Sequence, residues 1–229
     1  MNNELSIALV VPVLNERRAI SGMIKHLSAL DADELIIVDG GSSDGTCDIL
    51  AASDVRWITT GPGRARQMNA GASICKSDIL LFIHVDTLIS SSNLMAVEKV
   101  MCDAAFVGGH FDVTLSGRNV AFRMIEWMMN QRSRLTRIST GDQCQFVRRS
   151  LFESMGGFPE LALMEDIAFS TLLKRQGRIA CLKEKVITSS RRWEQHGIAR
   201  TVLLMWKLRF LYWLKRPASE LALVYRNAR

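Results

Sequence analysis

Several features that would announce a special class of protein are missing from this chain. No Cys-x-x-Cys occurs, and the five cysteines (Cys47, Cys75, Cys102, Cys144, Cys181) stand singly, an odd number in 229 residues. A chain this long buries enough surface to fold without disulfide staples, so a reducing cytosol and thiols that fill core space are expected. The same scatter offers no structural zinc site. No apolar run reaches the roughly 18 residues that a membrane span requires. The opening stretch MNNELSIALVVPVLNE has no basic residue ahead of its apolar part, and Pro12 and Glu16 follow almost at once. It reads as a buried first strand, not a signal peptide. Linkers and internal repeats are lacking, so one domain over 1–229 is expected. A Walker loop is absent. Gly61-Pro62-Gly63 fails as a dinucleotide fingerprint, because Arg66 or Gln67 stands where the third glycine belongs and Pro62 interrupts the turn.

What is present is an ordinary globular composition, 48% apolar with no excess of Gly or Pro. Residues 5–14 form a continuous apolar run, as a parallel strand covered on both faces requires. Ile20, Ile24, Leu27 and Leu30 then recur at helical spacing over 16–30. ELIIVD (34–39) is a second buried strand, followed by GGSSDGT and a helix from about Thr46. VRWIT (55–59) is a third strand, GPGRARQMNAGAS leads into a helix, and DILLFIHVDT (78–87) is a fourth strand. Such alternation argues for a doubly wound α/β sheet. Ligands bind beyond the carboxyl ends of strands in these sheets. The clusters Asn15–Glu16, Asp39–Thr46, Arg64–Asn69 and His84–Asp86 each follow a strand, so they converge on one rim. Beyond residue 105 the pattern changes. A strand over 106–115, a Met- and Trp-rich helix over 119–135, a strand over 143–149 and a helix over 162–177 closed by Gly177 are expected.

The net charge of +6 is unevenly spread. Residues 191–216 hold Arg191, Arg192, Arg200, Lys207, Arg209, Lys215 and Arg216 against Glu194, a surplus equal to that of the whole chain. Basic stretches attract phosphates on nucleotides or lipids. A nucleic-acid module would explain the charge but not carboxylates gathered on a rim, which repel phosphates unless a metal intervenes.

Carboxylates facing one rim suit transfer from a diphosphate donor. A departing diphosphate needs a cation, a hard cation takes carboxylate oxygens, and an attacking hydroxyl needs a base. VPVLNE (11–16), VDGGSSDGT (38–46), His84-Val85-Asp86 and Glu165-Asp166, taken in order, resemble the family-2 glycosyltransferases of GT-A fold. GRARQMNAGA (63–72), GDQCQFVRR (141–149), GGFPELALMEDI (156–167) and SSRRWEQHG (189–197) also resemble a short, single-domain bacterial subfamily.

The resemblance implies a mostly parallel central sheet flanked by helices. It implies a nucleotide-sugar-binding half (1–105), an acceptor and catalytic half (106–190), and a basic, apolar C-terminal helical segment (191–229). Pro12, Asn15 and Glu16 would line the nucleoside pocket, and Asp39 would bond the base, most simply a uracil. Ser42 and Asp44 would shape the loop, with Arg64, Gln67 and His84 also at the donor. Asp86 would ligate Mn²⁺ or Mg²⁺. Asp166 would be the base, Glu165 would position sugar or acceptor, and the displacement would invert the anomeric centre. One departure stands out: the family's first metal-motif acid is His84 here. His196 is a further candidate ligand or a solvated loop histidine.

Plainer readings compete. Asp39–Thr46 could be a turn, Asp86 the cap of a helix near Leu88, and Glu165–Asp166 an exposed helix start favoured by the dipole. A nucleotidyltransferase needs a glycine-rich triphosphate loop after the first strand, where Asn15-Glu16-Arg17-Arg18 has none. A non-catalytic binding domain of the same fold is a further alternative. IARTVLLMWKLRFLYWL (198–214) reads as a packed helix with snorkelling bases, an oligomer contact, or an interfacial helix presenting a lipid-linked acceptor at an anionic membrane. The expected partners are a nucleotide sugar and a small or lipid-linked acceptor, with no nucleic acid. The expected location is the cytoplasm, free or peripheral on the inner membrane face.

Overall fold

The structure, a computed structural model, describes residues 5–227. Its first half alternates β1 (Ile7–Val13), α1 (Ile20–Ser28), β2 (Glu34–Asp39), α2 (Thr46–Ala51), β3 (Arg56–Thr59), α3 (Arg64–Ile74) and β4 (Ile79–Phe82). A short β5 (Thr87–Leu88), α4 (Ser91–Met101) and the long β6 (Phe106–Leu115) follow. Then come α5 (Val120–Thr136), a 3-10 turn (Gly141–Gln143), β7 (Phe146–Arg148), α6 (Arg149–Ser154), α7 (Glu165–Leu173) and β8 (Arg178–Thr188). The chain closes with α8 (Arg191–His196), α9 (Ile198–Trp213) and α10 (Ala218–Asn227).

Eight strands form one sheet in the order β3-β2-β1-β4-β7-β6-β8-β5, continuous across residue 105. β1 pairs in parallel with β2 and β4, β2 with β3, and β6 with β8. β7 runs antiparallel between β4 and β6, and β5 is antiparallel to β8. The sheet is therefore mostly parallel, with β7 reversed near its middle. The reversal brings the loop before β7 to the rim where β1, β2 and β4 end.

The apolar run of β1 is buried because both its faces are covered. Ile7, Leu9, Val11 and Val13 pack with Ile20, Met23 and Leu27 of α1 and Leu94, Val97 and Met101 of α4. Ala8 and Val10 pack on the other face with Ala65, Met68 and Ala72 of α3. Gly71 lets α3 lie this close, since a Cβ there would stand 2.5 Å from a Val10 methyl. Phe82, Phe152, Phe158 and Phe169 fill the space beneath α6 and α7, with Phe158 and Phe169 centroids 4.2 Å apart. Burying each such ring is worth roughly 2–3 kcal/mol.

Several boundaries differ from the sequence reading: the strand expected over 78–87 ends at Phe82, leaving His84–Asp86 in the loop before β5, and the strand expected over 143–149 spans only Phe146–Arg148. Arg17–Ala19 form a turn, so α1 starts only at Ile20. Asp86 caps no helix: Thr87–Leu88 pairs with β8, and α4 starts at Ser91 behind its own Ser90/Asn93 capping box. The helix expected over 162–177 begins at Glu165 and ends at Leu173, with Lys174 and not Gly177 at its close. β8 was not anticipated, and the helical segment expected over 191–229 divides into α8, α9 and α10. Lys183, Glu184 and Lys185 interrupt the apolar pattern of β8, and these side chains are exposed.

Candidate active site

The loops after β1 and β2 are built as one unit. The Asp39 side chain is fully buried, and its Oδ1 accepts from Gly41 N and Ser42 N at 2.8 Å, while Oδ2 accepts from Ser42 Oγ. Burial alone would raise its pKa; the Ser42 hydroxyl and the two N–H groups outweigh it and hold the carboxyl below its ordinary value. Ser42 Oγ accepts in turn from Asn15 N at 2.8 Å, and Asn15 Oδ1 accepts from Ser43 N at 2.9 Å. Asn15 holds φ 56°, a left-handed conformation that Asn tolerates. Asp44 accepts from Thr46 N and Arg17 N at 3.0 Å, and Thr46 Oγ1 accepts from Glu16 N at 3.0 Å. Ser42 and Asp44 thus shape the loop as expected of them. Asp39 sits beneath it as the organising acceptor, with Pro12 buried in β1 below.

Gln67 departs from the expected donor contact. Its side chain is buried, and its amide donates to Val13 O at 2.7 Å and Val38 O at 2.8 Å. Those carbonyls lie near the ends of β1 and β2, which the amide ties to α3. A polar residue on an amphipathic helix looks the same in sequence whether it meets ligand or backbone.

The strand end of β4 meets the start of α7 through Gly141. Asp166 Oδ2 accepts from Gly141 N at 2.8 Å, and Oδ1 from Ile167 N at 2.7 Å. The His84 ring packs against the same glycine, so that a Cβ on Gly141 would stand 2.5 Å from its Cε1 and Nε2. Burial pushes the His84 imidazole down to about 3, with Arg64 and Arg192 adding to the effect, so it is neutral. Asp86 is exposed two residues further on.

Glu165 is buried, which excludes the plain reading of this pair as an exposed helix start. Desolvation raises its pKa, and the adjacent Asp166 raises it further. Asp166 is raised as well: burial leads, the Gly141 and Ile167 N–H groups oppose, and Asp142 adds. Two carboxyls held toward the neutral range beside a cation are what proton transfer near neutral pH requires. The cation is Arg64, whose charge acts on Glu16, His84, Glu165 and Asp166 alike. Glu16, raised chiefly by burial, also feels Arg191, Asp86 and Asp44. Asn15, Glu16, Asp39, Ser42, Asp44, Arg64, His84, Asp86, Glu165 and Asp166 thus gather at one rim. His196 ends α8, half-buried.

Sequence reasoning passed over Asp142, Arg132, Gln143 and Gln145. Asp142 acts on Asp166, and the half-buried Arg132 feels the charges of both. Gln143, buried, donates to Phe111 O and Ser133 Oγ and accepts from Arg132, holding the turn that offers Gly141 N–H. Gln145 donates to the Asp166 carbonyl at 3.1 Å and to Ser170 Oγ at 2.7 Å. The string GDQCQF was a visible signal for three of these; nothing local marks Arg132, which reaches the rim from α5.

Among the described residues, no three His, Cys, Asp or Glu side chains come together as a metal cage. The exposed Asp86 suits a hard divalent cation completed by diphosphate oxygens and water, the usual arrangement for Mg²⁺ at phosphates.

Comparison with known proteins agrees with this architecture. The chain is 25% identical over 189 residues to the probable glycosyltransferase YdaM of Bacillus subtilis, covering 70% of this chain and 44% of that protein. It thus spans less than half the length of that relative. The mannosyltransferase PcManGT of Pyrobaculum calidifontis, solved with GDP-Man and Mn²⁺, superposes with TM-score 0.70 at 18% identity, over 99% of this chain and 70% of that one. S. aureus TarS 1-349 with UDP-GlcNAc gives TM-score 0.64 at 20% identity, over 81% and 58%. At such identities the superpositions speak for the fold alone. Residues 8–156, from β1 through α6, match the family described as glycosyl transferase family 2, and the chain belongs to that family.

Proposed function

We propose that the chain is an inverting glycosyltransferase that moves a sugar from a nucleotide diphosphate sugar, a UDP-sugar first, to an acceptor hydroxyl. The observation that carries the reading is the Gly141 junction, where His84, two residues before Asp86, and the half-buried carboxylate Asp166 meet at one residue.

In this reading the loops 14–17 and 40–46 receive the nucleoside. Asp86 holds Mn²⁺ or Mg²⁺, which when bound neutralises charge on the diphosphate. Arg64 supplies a second positive charge beside the leaving oxygens. Asp166, oriented by the Gly141 and Ile167 N–H groups, takes the proton of the acceptor hydroxyl. The acceptor oxygen then bonds to the anomeric carbon as the bond to the diphosphate breaks on the opposite face. Glu165 positions sugar or acceptor. The missing first acid of the metal motif is met by a neutral His84, which offers a hydrogen bond to ribose and no charge.

PcManGT was solved with GDP-Man and TarS with UDP-GlcNAc, so the base is a matter for experiment. A panel of UDP-, GDP- and dTDP-sugars with Mn²⁺, read by ligand-induced thermal shift, is the test. One donor class should stabilise the chain; no response to any of them would end the proposal.

A further inference from the structure

α9 is apolar on two sides. Its inner side, Leu208 with Leu204 and Leu211 alongside, packs on Met164 and Ile167 at the start of α7 and on Leu221 of α10. Its outer side is different. Leu203, Trp206, Phe210 and Trp213 recur at spacings of three and four, so they share one face, and Leu214 extends it. Leu203, Trp206, Phe210 and Trp213 are 64%, 57%, 58% and 75% exposed, and the Phe210 and Trp213 rings stack with centroids 6.1 Å apart. Arg200 and Lys207, both exposed, border this face, and Lys215 and Arg216 stand exposed just past its end. α5, joined to α9 where Phe122 and Ile125 pack with Ile198 and Val202, carries a second outward apolar stripe through Met124, Trp127 and Leu135.

We propose that the outer face of α9 docks on an anionic lipid bilayer, with its aromatic side chains at the headgroup level. Large apolar and aromatic side chains bordered by bases are the composition of an in-plane interfacial helix. No helix among the described residues is long and apolar enough to cross a membrane. Charge complementarity selects the occupant. A second copy related by a twofold axis would set this basic rim against itself, whereas an anionic leaflet attracts every one of these cations. The placement has a consequence for the site, which rests on the transferase reading above. Tyr212, on the inner side of α9, packs with Met164 and Ile167, which flank Glu165 and Asp166 in the chain, so one helix, roughly 10 Å across, separates the docked face from the proposed base.

The test is co-sedimentation of the full chain with vesicles of phosphatidylcholine alone or mixed with phosphatidylglycerol, at roughly 0.1 M salt, where screening acts over about 10 Å. Binding to the anionic vesicles alone is expected, and it should fall about tenfold or more with Trp206→Ser/Phe210→Ser, with Arg200→Glu/Lys207→Glu, and at high salt. The charge-reversal pair alters only exposed side chains, and an unchanged melting temperature shows that it folds. Three outcomes overturn the proposal: no binding to anionic vesicles, equal binding to neutral ones, or a mass of two chains that Trp206→Ser returns to one without vesicle binding. No nucleotide sugar enters the assay. A failed docking with an intact donor shift therefore refutes the membrane face alone.

Discussion

Replacing Gly141 with alanine tests the junction between the two sides of the site. The new Cβ would stand 2.5 Å from His84 Cε1 and Nε2, where ordinary contact begins at 3.4 Å. The ring must therefore retreat by about 1 Å, and it stands in the loop just past β4, two residues from Asp86. Overpacking of this kind costs about 1–3 kcal/mol, and a 1 Å misplacement at a reacting centre can cost about 100-fold in rate. The stability term needs no knowledge of the substrate. Urea unfolding of Gly141→Ala, His84→Ala and the double variant forms a cycle. Because His84→Ala removes the atoms that clash, Gly141→Ala should cost almost nothing in that background, giving a coupling of at least about 1 kcal/mol. Additive costs would refute the contact and, with it, the physical link between donor strand and base.

Other outcomes follow from the same geometry. The pKa of Asp166 is raised in the folded chain, so as the base it is active only once deprotonated; kcat/KM should rise with pH through a limb above the ordinary carboxylate range, and a limb at or below that range would contradict its role. For Asp39 the sign is opposite. Its folded pKa is lowered, so its stabilisation is present above the ordinary aspartate value and lost as pH falls through the folded one; Asp39→Ala should cost about 1–3 kcal/mol in urea at neutral pH and progressively less in acid. Gln145→Leu strips donors from the Asp166 carbonyl and Ser170 and should cost about 2 kcal/mol while lowering kcat more than it raises KM. Chelation of divalent ions should abolish transfer, with activity restored by Mn²⁺ or Mg²⁺ in the parent chain and poorly in Asp86→Ala.

How far the sequence was legible depended on how locally each feature is encoded. β1, β2, β3 and β6 could be read nearly to the residue because buried runs are self-evident, and the rim followed from strand ends. β8 was not read, since one flank faces solvent and its Lys183–Lys185 stretch resembles a loop. The reversal of β7 was equally hidden: strand direction depends on long-range pairing, and three residues carry no sign of it. At the site, Asp39 and Asp86 were expected on the rim from strand ends and Asp166 only from the resemblance, and their roles in the fold could not be foreseen. Asp39 proved to be a buried acceptor organising its own loop. Gln67 proved to bind strand carbonyls. Arg132 became visible only once α5 was seen to approach Asp166, whereas Asp142 stood in the string GDQCQF without its role being legible.

The central claim is that Asp166 is the base of a sugar transfer whose donor is held elsewhere on the same rim. Its most direct test is Asp166→Asn, assayed both for donor binding by calorimetry with Mn²⁺ and for single-turnover transfer or hydrolysis of that donor. The account predicts donor affinity within about threefold of the parent chain and a rate lower by at least about 1000-fold. Preserved turnover, or loss of donor binding itself, would contradict it.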